Sequence, residues 1–469
     1  MRLLSAILIP AYCFAAGASL EIDSVIDLAR SAPPEVAADA LIRVADLELA
    51  KQRKVELLEQ AFRLASAAPQ LYKRRSALVH PVGPSGFLNR AFQQDLDANS
   101  LELRAVAALL ALDAKRARER FQDIPPLKLP PLTCDEFLVY DVDRFYDVLG
   151  RVASESFTAK EIRDDEPSKF LALYIARIGS PVEVAPAARM LAGVAVSEAG
   201  FQSLATSLAG ALGRMSGDSR SFSSSAGRAG SELLVLIELG RRRQVSPVIL
   251  AEAYRLFLVH HLSAGRCKEQ DESDPAGFFN DHVQMPSLRA IGETESAPVK
   301  VEGEAKGLQW CESPECKAVR EEYLKLVTRQ EGRGVQPAER EQGQWQATVR
   351  DFLSTMAGWT QSSGATPAEY FREKIGFYND VLTIVPNGPT REFVLRSMIG
   401  FLDQNRLPPE NRIEWLLAVN QLVGRVALDP LGLGRVAADL RGATDVAISL
   451  SIALETVAPR PAGELMLLL

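Results

Sequence analysis

Residues 34–69 read PEVAADALIRVADLELAKQRKVELLEQAFRLASAAP, and this stretch decides the fold class. Apolar side chains fall at Val36, Ala40, Leu41, Val44 and Leu47, then at Val55, Leu58, Ala61, Phe62 and Ala65 after the polar run at 51–54. Spacings of three and four place each set on one face of an α-helix, the pattern of an amphipathic helix seated on a core. Pro33-Pro34 stands at the start and Pro69 at the end, positions where proline is compatible with a helix boundary. The unit is a helix pair of about 35 residues, close in size to a tetratricopeptide repeat. Neither helix of such a pair buries its apolar face alone, so pairs in series must stack.

The same periodicity recurs along the chain. Shorter helical pieces are expected at 103–112 and 114–121, then at 137–152, 170–178, 184–196, 232–239 and 247–262. Further helices are expected at 317–328, 339–356, 367–384, 389–404, 409–423 and 436–454, most of them opened by proline or an N-cap residue. Residues 136–142 and 297–301 alternate weakly and stand too far from other strands to build a sheet. Residues 215–230 are rich in serine and glycine and are expected to be a loop. The prediction is an all-α protein, an irregular α-solenoid or helical-hairpin array of the tetratricopeptide or HEAT kind. It divides into an N-terminal array at 19–283, a linker at 284–310 and a C-terminal helical domain at 311–469.

The first residues carry a targeting pattern. Arg2 precedes an apolar run at 3–14, and small residues at Ala16 and Ala18 suit an A-x-A cleavage site. A bilayer-spanning helix needs about 20 apolar residues, so a cleaved signal peptide at 1–18 is expected rather than an integral span, with a periplasmic or secreted product. Lysine and arginine number 53 against 60 aspartates and glutamates, a net charge of −7, which argues against nucleic acid as a partner.

Cleavage would leave Cys134, Cys267, Cys311 and Cys316, an even count that favours disulfides in an oxidising compartment, with three possible connectivities. Cys311 and Cys316 flank Pro314 and suit a local bridge if that stretch is not a regular helix, which would leave Cys134 for Cys267. No metal or cofactor is expected. His260, His261, Cys267, His282 and Cys311 match no compact zinc spacing. The acidic run Asp135, Glu136, Asp141, Asp143 and Asp147 is interrupted by Phe145 and Tyr146 and suits a solvated helix face. Gly432, Gly434 and Ala437 fit a dinucleotide fingerprint without a leading strand. Arg241-Arg242-Arg243 suits a helix C-terminus. The tail at 465–469 is apolar and suits docking or an interface.

Three segments carry a broader likeness: Pro33-Pro34-Glu35, Thr133-Cys134-Asp135, and Tyr254-Arg255 with His261-Leu262-Ser263 and Arg266-Cys267. Over about the first 270 residues they resemble uncharacterised exported α-helical bacterial proteins, which implies export and a helical array but no mechanism. Residues 197–216, SEAGFQSLATSLAGALGRMS, resemble the catalytic stretch of lytic transglycosylases. Glu198, Phe201, Ala205, Ser207, Gly210, Ala211, Gly213 and Met215 match in register, while Ala199, Arg214 and Ser216 depart. The family's later Ala-Tyr-Asn-x-Gly signature has only Ala253-Tyr254-Arg255 as a stand-in. The resemblance implies that Glu198 is a general acid/base, which requires a desolvated carboxyl; the sequence places it after an apolar run at 190–196. The leading expectation is a non-enzymatic scaffold or binding module for a protein, peptide or cell-wall glycan. A glycosidase using Glu198 is the alternative.

Overall fold

The structure is a computed structural model. It describes residues 12–77, 94–268, 274–296, 301–302, 313–331, 339–361, 366–385 and 388–405, with positions 414–415, 418–419 and 422. The expectations at 432–437, 436–454 and 465–469, and Cys311, lie outside the described residues.

α1 (Tyr12–Ser31) runs through the predicted cleavage junction and leads into α2 (Pro34–Ala45) and α3 (Lys51–Ala65), the expected hairpin. α2 is buried along its whole length from Glu35 to Ala45. Alanines 37, 38 and 40 let α1, α3 and α4 (Ala98–Leu112) close around it. Between α2 and α3 on one side and α4 on the other, β1 (Arg74–Ser76) leaves the helical layer. The charge inside this bundle is paired: Asp39 meets Arg43 Nε at 2.9 Å and Arg104 Nη2 at 2.6 Å. Burial alone would raise the Asp39 carboxyl, but the two guanidinium groups hold it below the usual aspartate range.

Helices α5 (Ala114–Asp123), α6 (Asp143–Glu155), α7 (Ala159–Arg163) and α8 (Glu166–Ile175) follow, then α9 (Val184–Gly193), α10 (Glu198–Leu212), α11 (Ser219–Arg242) and α12 (Val248–Ala264). Side-chain caps start several of them: Asp97 for α4, Asp113 for α5, Ser197 for α10 and a Thr158/Glu161 capping box for α7. β2 (Leu138–Tyr140) precedes α6 and pairs antiparallel with β1, Arg75 opposite Val139, so the weakly alternating stretch at 136–142 is not isolated, and the helix expected over 137–152 starts only at Asp143. That partner, Arg74-Arg75-Ser76, shows no alternation of its own. β3 (Arg266–Cys267) pairs in parallel with β4 (Val301–Glu302), so the last residue of the weakly alternating stretch at 297–301 is paired as well.

Most of the serine-rich stretch at 215–230 is helix, not loop: residues 215–218 lead into α11, which starts at Ser219. Its apolar face is built from small residues: Ser221, Phe222, Ser225, Ala226, Ala229 and Gly230 are buried, and they continue in register into Leu233 and Leu236. The hydroxyls that would compete with the helix turn back onto it, Ser225 Oγ to Ser221 O at 2.6 Å and Ser231 Oγ to Gly227 O at 3.1 Å. A Cβ at Gly230 would lie 2.6 Å from Tyr254 Oη, so α12 can approach only where that side chain is missing.

The start of α11 is also where distant segments are joined. Asp218 caps it through Ser221 N at 3.1 Å, accepts from Leu132 N at 3.0 Å on the same oxygen, and accepts from Ser180 Oγ at 3.2 Å on the other. Arg220, with no exposed surface, donates to the carbonyl of Cys134. Cys134 is disulfide-bonded to Cys267, with Cα atoms 5.4 Å apart across 133 residues, and Cys267 N donates to Ser223 Oγ at 3.1 Å. Cys316 is disulfide-bonded too.

α13 (Pro275–His282) precedes the expected linker and α14 (Glu293–Ser296) lies within it; between them Asn280 holds Ile291 by two hydrogen bonds, 2.8 and 3.0 Å. α15 (Pro314–Glu331), α16 (Glu339–Gly358), α17 (Pro367–Ile384) and α18 (Pro389–Gln404) pack on one another around Phe352, Phe371, Phe377 and Phe401. Among the described residues no helix is long and apolar enough to cross a membrane.

Replacing Cys134 and Cys267 together by serine is expected to lower stability by about 2–5 kcal/mol, because the bond closes a long loop in the unfolded chain. Urea unfolding of wild type and variant under non-reducing conditions checks this, and an unchanged midpoint would show that the bridge contributes nothing.

Candidate functional site

The transglycosylase-like stretch forms α10 and the turn before it. The preceding helix α9 stops at Gly193, so residues 194–197 are extended and Glu198 begins a helix rather than ending one. Ser197 caps α10 by accepting from Gly200 N at 2.9 Å and donates to Asp165 Oδ1 at 3.0 Å. Asp165 sits in the left-handed region at φ 57° and also accepts from Ser168 Oγ. A Cβ at Gly200 would fall 2.1 Å from Ser168 Oγ, so the glycine is required for α10 to sit on α8. Glu198 itself is exposed in the first helical turn, where a carboxylate complements the helix dipole. The burial on which its acid role depends is absent at this position.

Of the residues that match in register, Phe201 is 2% exposed and lines a groove together with Gln202, Ala205 and Thr206. The opposite wall is Ile249 and Leu250 of α12, and the floor is Leu236, Ile237 and Gly240 of α11 with the turn at Val245, Ser246 and Pro247. It is a shallow depression with about 20 Å³ of accessible space, and no titratable side chain lines it. Ile249 stands 54% exposed at its rim. Behind Phe201, the Arg243 guanidinium lies 4.9 Å from the ring centre, which fixes both groups. Periodicity marks Phe201, Ile249 and Leu250 as helix-face residues, but only the packing of α10 against α12 shows that Ile249 is left uncovered.

The expected disulfide cysteines separate clearly. Cys134 and Cys267 form the bridge described above, so the Cys267 sulfur is unavailable as a zinc ligand. His261 is stacked on Phe222 at 4.9 Å and tilted on Phe257 at 4.6 Å, with His260 at 5.1 Å. Among the described residues no three His, Cys, Asp or Glu side chains converge as a metal site. The acidic run near α6 is tied into ion pairs: Asp143 takes Arg228 on both oxygens at 2.7 and 2.8 Å, and Arg189 also reaches Asp143 and Asp147.

Elsewhere, strongly perturbed groups serve the fold. Glu183 accepts from Tyr146 Oη at 2.8 Å and from the amides of Gly179 and Ser180, and burial raises its carboxyl. Burial raises Asp97 to about 6 and Glu102 to about 7, the latter also repelled by Asp97, but Asp97 caps α4 through Ser100 N. Lys374 has no signal in sequence beyond its place on an apolar helix face. Its Nζ donates to Trp359 O at 2.7 Å and Tyr370 Oη at 2.8 Å, and lies over the rings of Trp359, Tyr370 and Phe401 at 5.9, 5.1 and 5.2 Å. Burial lowers this amine to about 8.

Comparison of the chain with protein-family models, curated proteins and solved structures finds no match.

Burial, with a smaller push from His260, lowers His261 to about 4 against an ordinary value of 6.5. Between those two values the unfolded chain takes up a proton that the folded chain refuses, so stability is full above pH 6.5 and falls as pH drops. The loss from this group is expected to be on the order of 3 kcal/mol by pH 4. Urea unfolding at pH 7.0 and 4.5 of wild type and His261→Phe checks this: the variant should lose less between the two conditions, and equal losses would exonerate the histidine.

Proposed function

We propose that this chain is an exported α-helical scaffold or binding module, a stacked array of helical hairpins in two bodies, that holds an apolar segment of a partner in the groove between α10 and α12. The observation that carries this reading is the exposed Ile249 at the rim, beside the half-buried Ala205 and the buried Phe201, with no titratable side chain lining the depression. Such a surface recognises shape and apolar area, and offers nothing to move a proton. Export is supported by the buried Cys134–Cys267 bridge, which suits an oxidising compartment. The stacked arrangement is supported by the chain-ordered packing of α2 on α3, α3 on α4 and α4 on α6.

The alternative, a peptidoglycan-cleaving glycosidase using Glu198, draws on the residues that match in register around Phe201. It lacks the desolvated carboxyl that proton donation to a leaving oxygen requires.

Two measurements separate these readings. The protein and its Glu198→Gln variant are expected to leave purified peptidoglycan equally undigested; digestion by the wild type alone would reverse the choice. Thr206→Trp, at an exposed position on the groove wall, is expected to weaken peptides selected by phage display on the wild-type protein by about tenfold or more. Selected peptides that bind the variant equally well would move the binding surface elsewhere, provided circular dichroism shows the helices intact.

A further inference from the structure

A roomier hollow lies on the segment that follows α13. That helix ends at His282, and residues 283–290 continue without regular structure before α14. Two ties hold the segment in shape. Leu288 N donates to Met285 O at 3.0 Å, and the Asn280 side chain bonds both the amide and the carbonyl of Ile291. The buried Phe279 and Val283 and the half-buried Met285 and Leu288 line a pocket of about 340 Å³. That volume falls at the lower end of the range for small-molecule sites, roughly 300–1,000 Å³. Among the described residues that line it, only Arg289 is charged, and its side chain is 76% exposed. Arg289 Nη2 stands 3.7 Å from Glu295 Oε2, beyond hydrogen-bond reach, and that oxygen already accepts from Gly292 N at 3.1 Å. The other Glu295 oxygen faces Arg255 Nη1 at 3.7 Å. Among the described residues, Arg289 therefore has no hydrogen-bonded carboxylate.

We infer that this pocket binds a small apolar carboxylate, with its hydrocarbon body against Phe279, Val283, Met285 and Leu288 and its carboxylate on the Arg289 guanidinium. An apolar lining with one placed polar group is the usual chemistry of a small-molecule site. The guanidinium presents paired N–H donors that match two carboxylate oxygens, so it selects an acid over an alcohol of the same length. An amine of that length would meet Arg289 with like charge and be rejected. Met285, unbranched and flexible, lets the lining adjust to the shape of the chain it covers. The pocket shares no residue with the groove between α10 and α12, so it stands whether or not a partner segment binds there.

Isothermal titration calorimetry of the full chain with octanoate, 1-octanol and octylamine tests this. Octanoate is expected to bind about tenfold or more tightly than octanol, with octylamine the weakest of the three. Arg289→Gln, at an exposed position, should bring octanoate down to the octanol affinity and leave octanol unchanged. Ala290→Trp, at an exposed position on the lining, should abolish octanoate binding while circular dichroism shows the helices intact. Octanoate that binds no more tightly than octanol or octylamine, or whose affinity Arg289→Gln leaves unchanged, would overturn the carboxylate assignment. Octanoate binding that survives Ala290→Trp would place the contact elsewhere and overturn the site. Absence of binding by all three ligands at millimolar concentration would do the same.

Discussion

The N-terminal helices are held in register by what happens at the first turn of α11. Asp218 has two carboxylate oxygens and three donors on them: the amide of Ser221 within its own helix, the amide of Leu132, and the hydroxyl of Ser180. Arg220, two residues later, takes the carbonyl of Cys134. A segment without secondary structure, 125–137, is thereby given backbone partners that it could not supply for itself in a buried position. Apolar residues at 218 and 220 would leave buried amides and a carbonyl unmatched, which costs more than a typical hydrogen bond contributes. The helix pairs around this point stack on apolar area, but their relative placement runs through these polar contacts. The burial of Glu183 next door, with Tyr146 and two amides on its carboxylate, extends the same solution to the connection between α8 and α9.

Much of the helical architecture is legible in the sequence because it is written in large apolar residues. Val36, Leu41 and Val44, or Phe371, Ile375 and Tyr378, are all buried where their spacing predicts. Proline marks α2, α17 and α18 at their first residue. What escapes is structure made from residues that carry no such signal. The first half of α11 is serine, glycine and alanine, so a reading that looks for large side chains sees a loop. The periodic small residues at 221, 225 and 229 are the trace that a packing argument could have used. β1 escapes for a different reason: Arg74-Arg75-Ser76 becomes a strand only because β2 lies beside it, and pairing is a property of two segments at once. Residues 284–292 carry no helical spacing, and the tie that Asn280 makes to Ile291 is a side-chain contact that periodicity does not report.

The candidate site was less legible, and the reason lies in what titratable groups do here. Glu198 stands in a register that resembles a catalytic one, yet its place at the opening of α10 leaves it in water. Among the groups whose protonation is displaced, Asp97, Glu183 and His261 are buried in caps, turns and aromatic stacks. Perturbation of this kind follows from burial and needs no substrate to explain it. Lys374 belongs with them. Three rings and two oxygens around an ammonium resemble a site built for a cationic ligand, but the cation is already covalently part of α17.

The bond between Cys134 and Cys267 turns α6 through α12 into a covalent ring, and every residue that lines the groove belongs to it. Fraying from either terminus has to stop at the ring. A single peptide cleavage within the ring, for instance at the 213–217 turn, leaves both walls of the groove on one tethered molecule. The residues around the depression thus stay on one covalent unit after a single cut, for as long as two buried sulfurs remain oxidised.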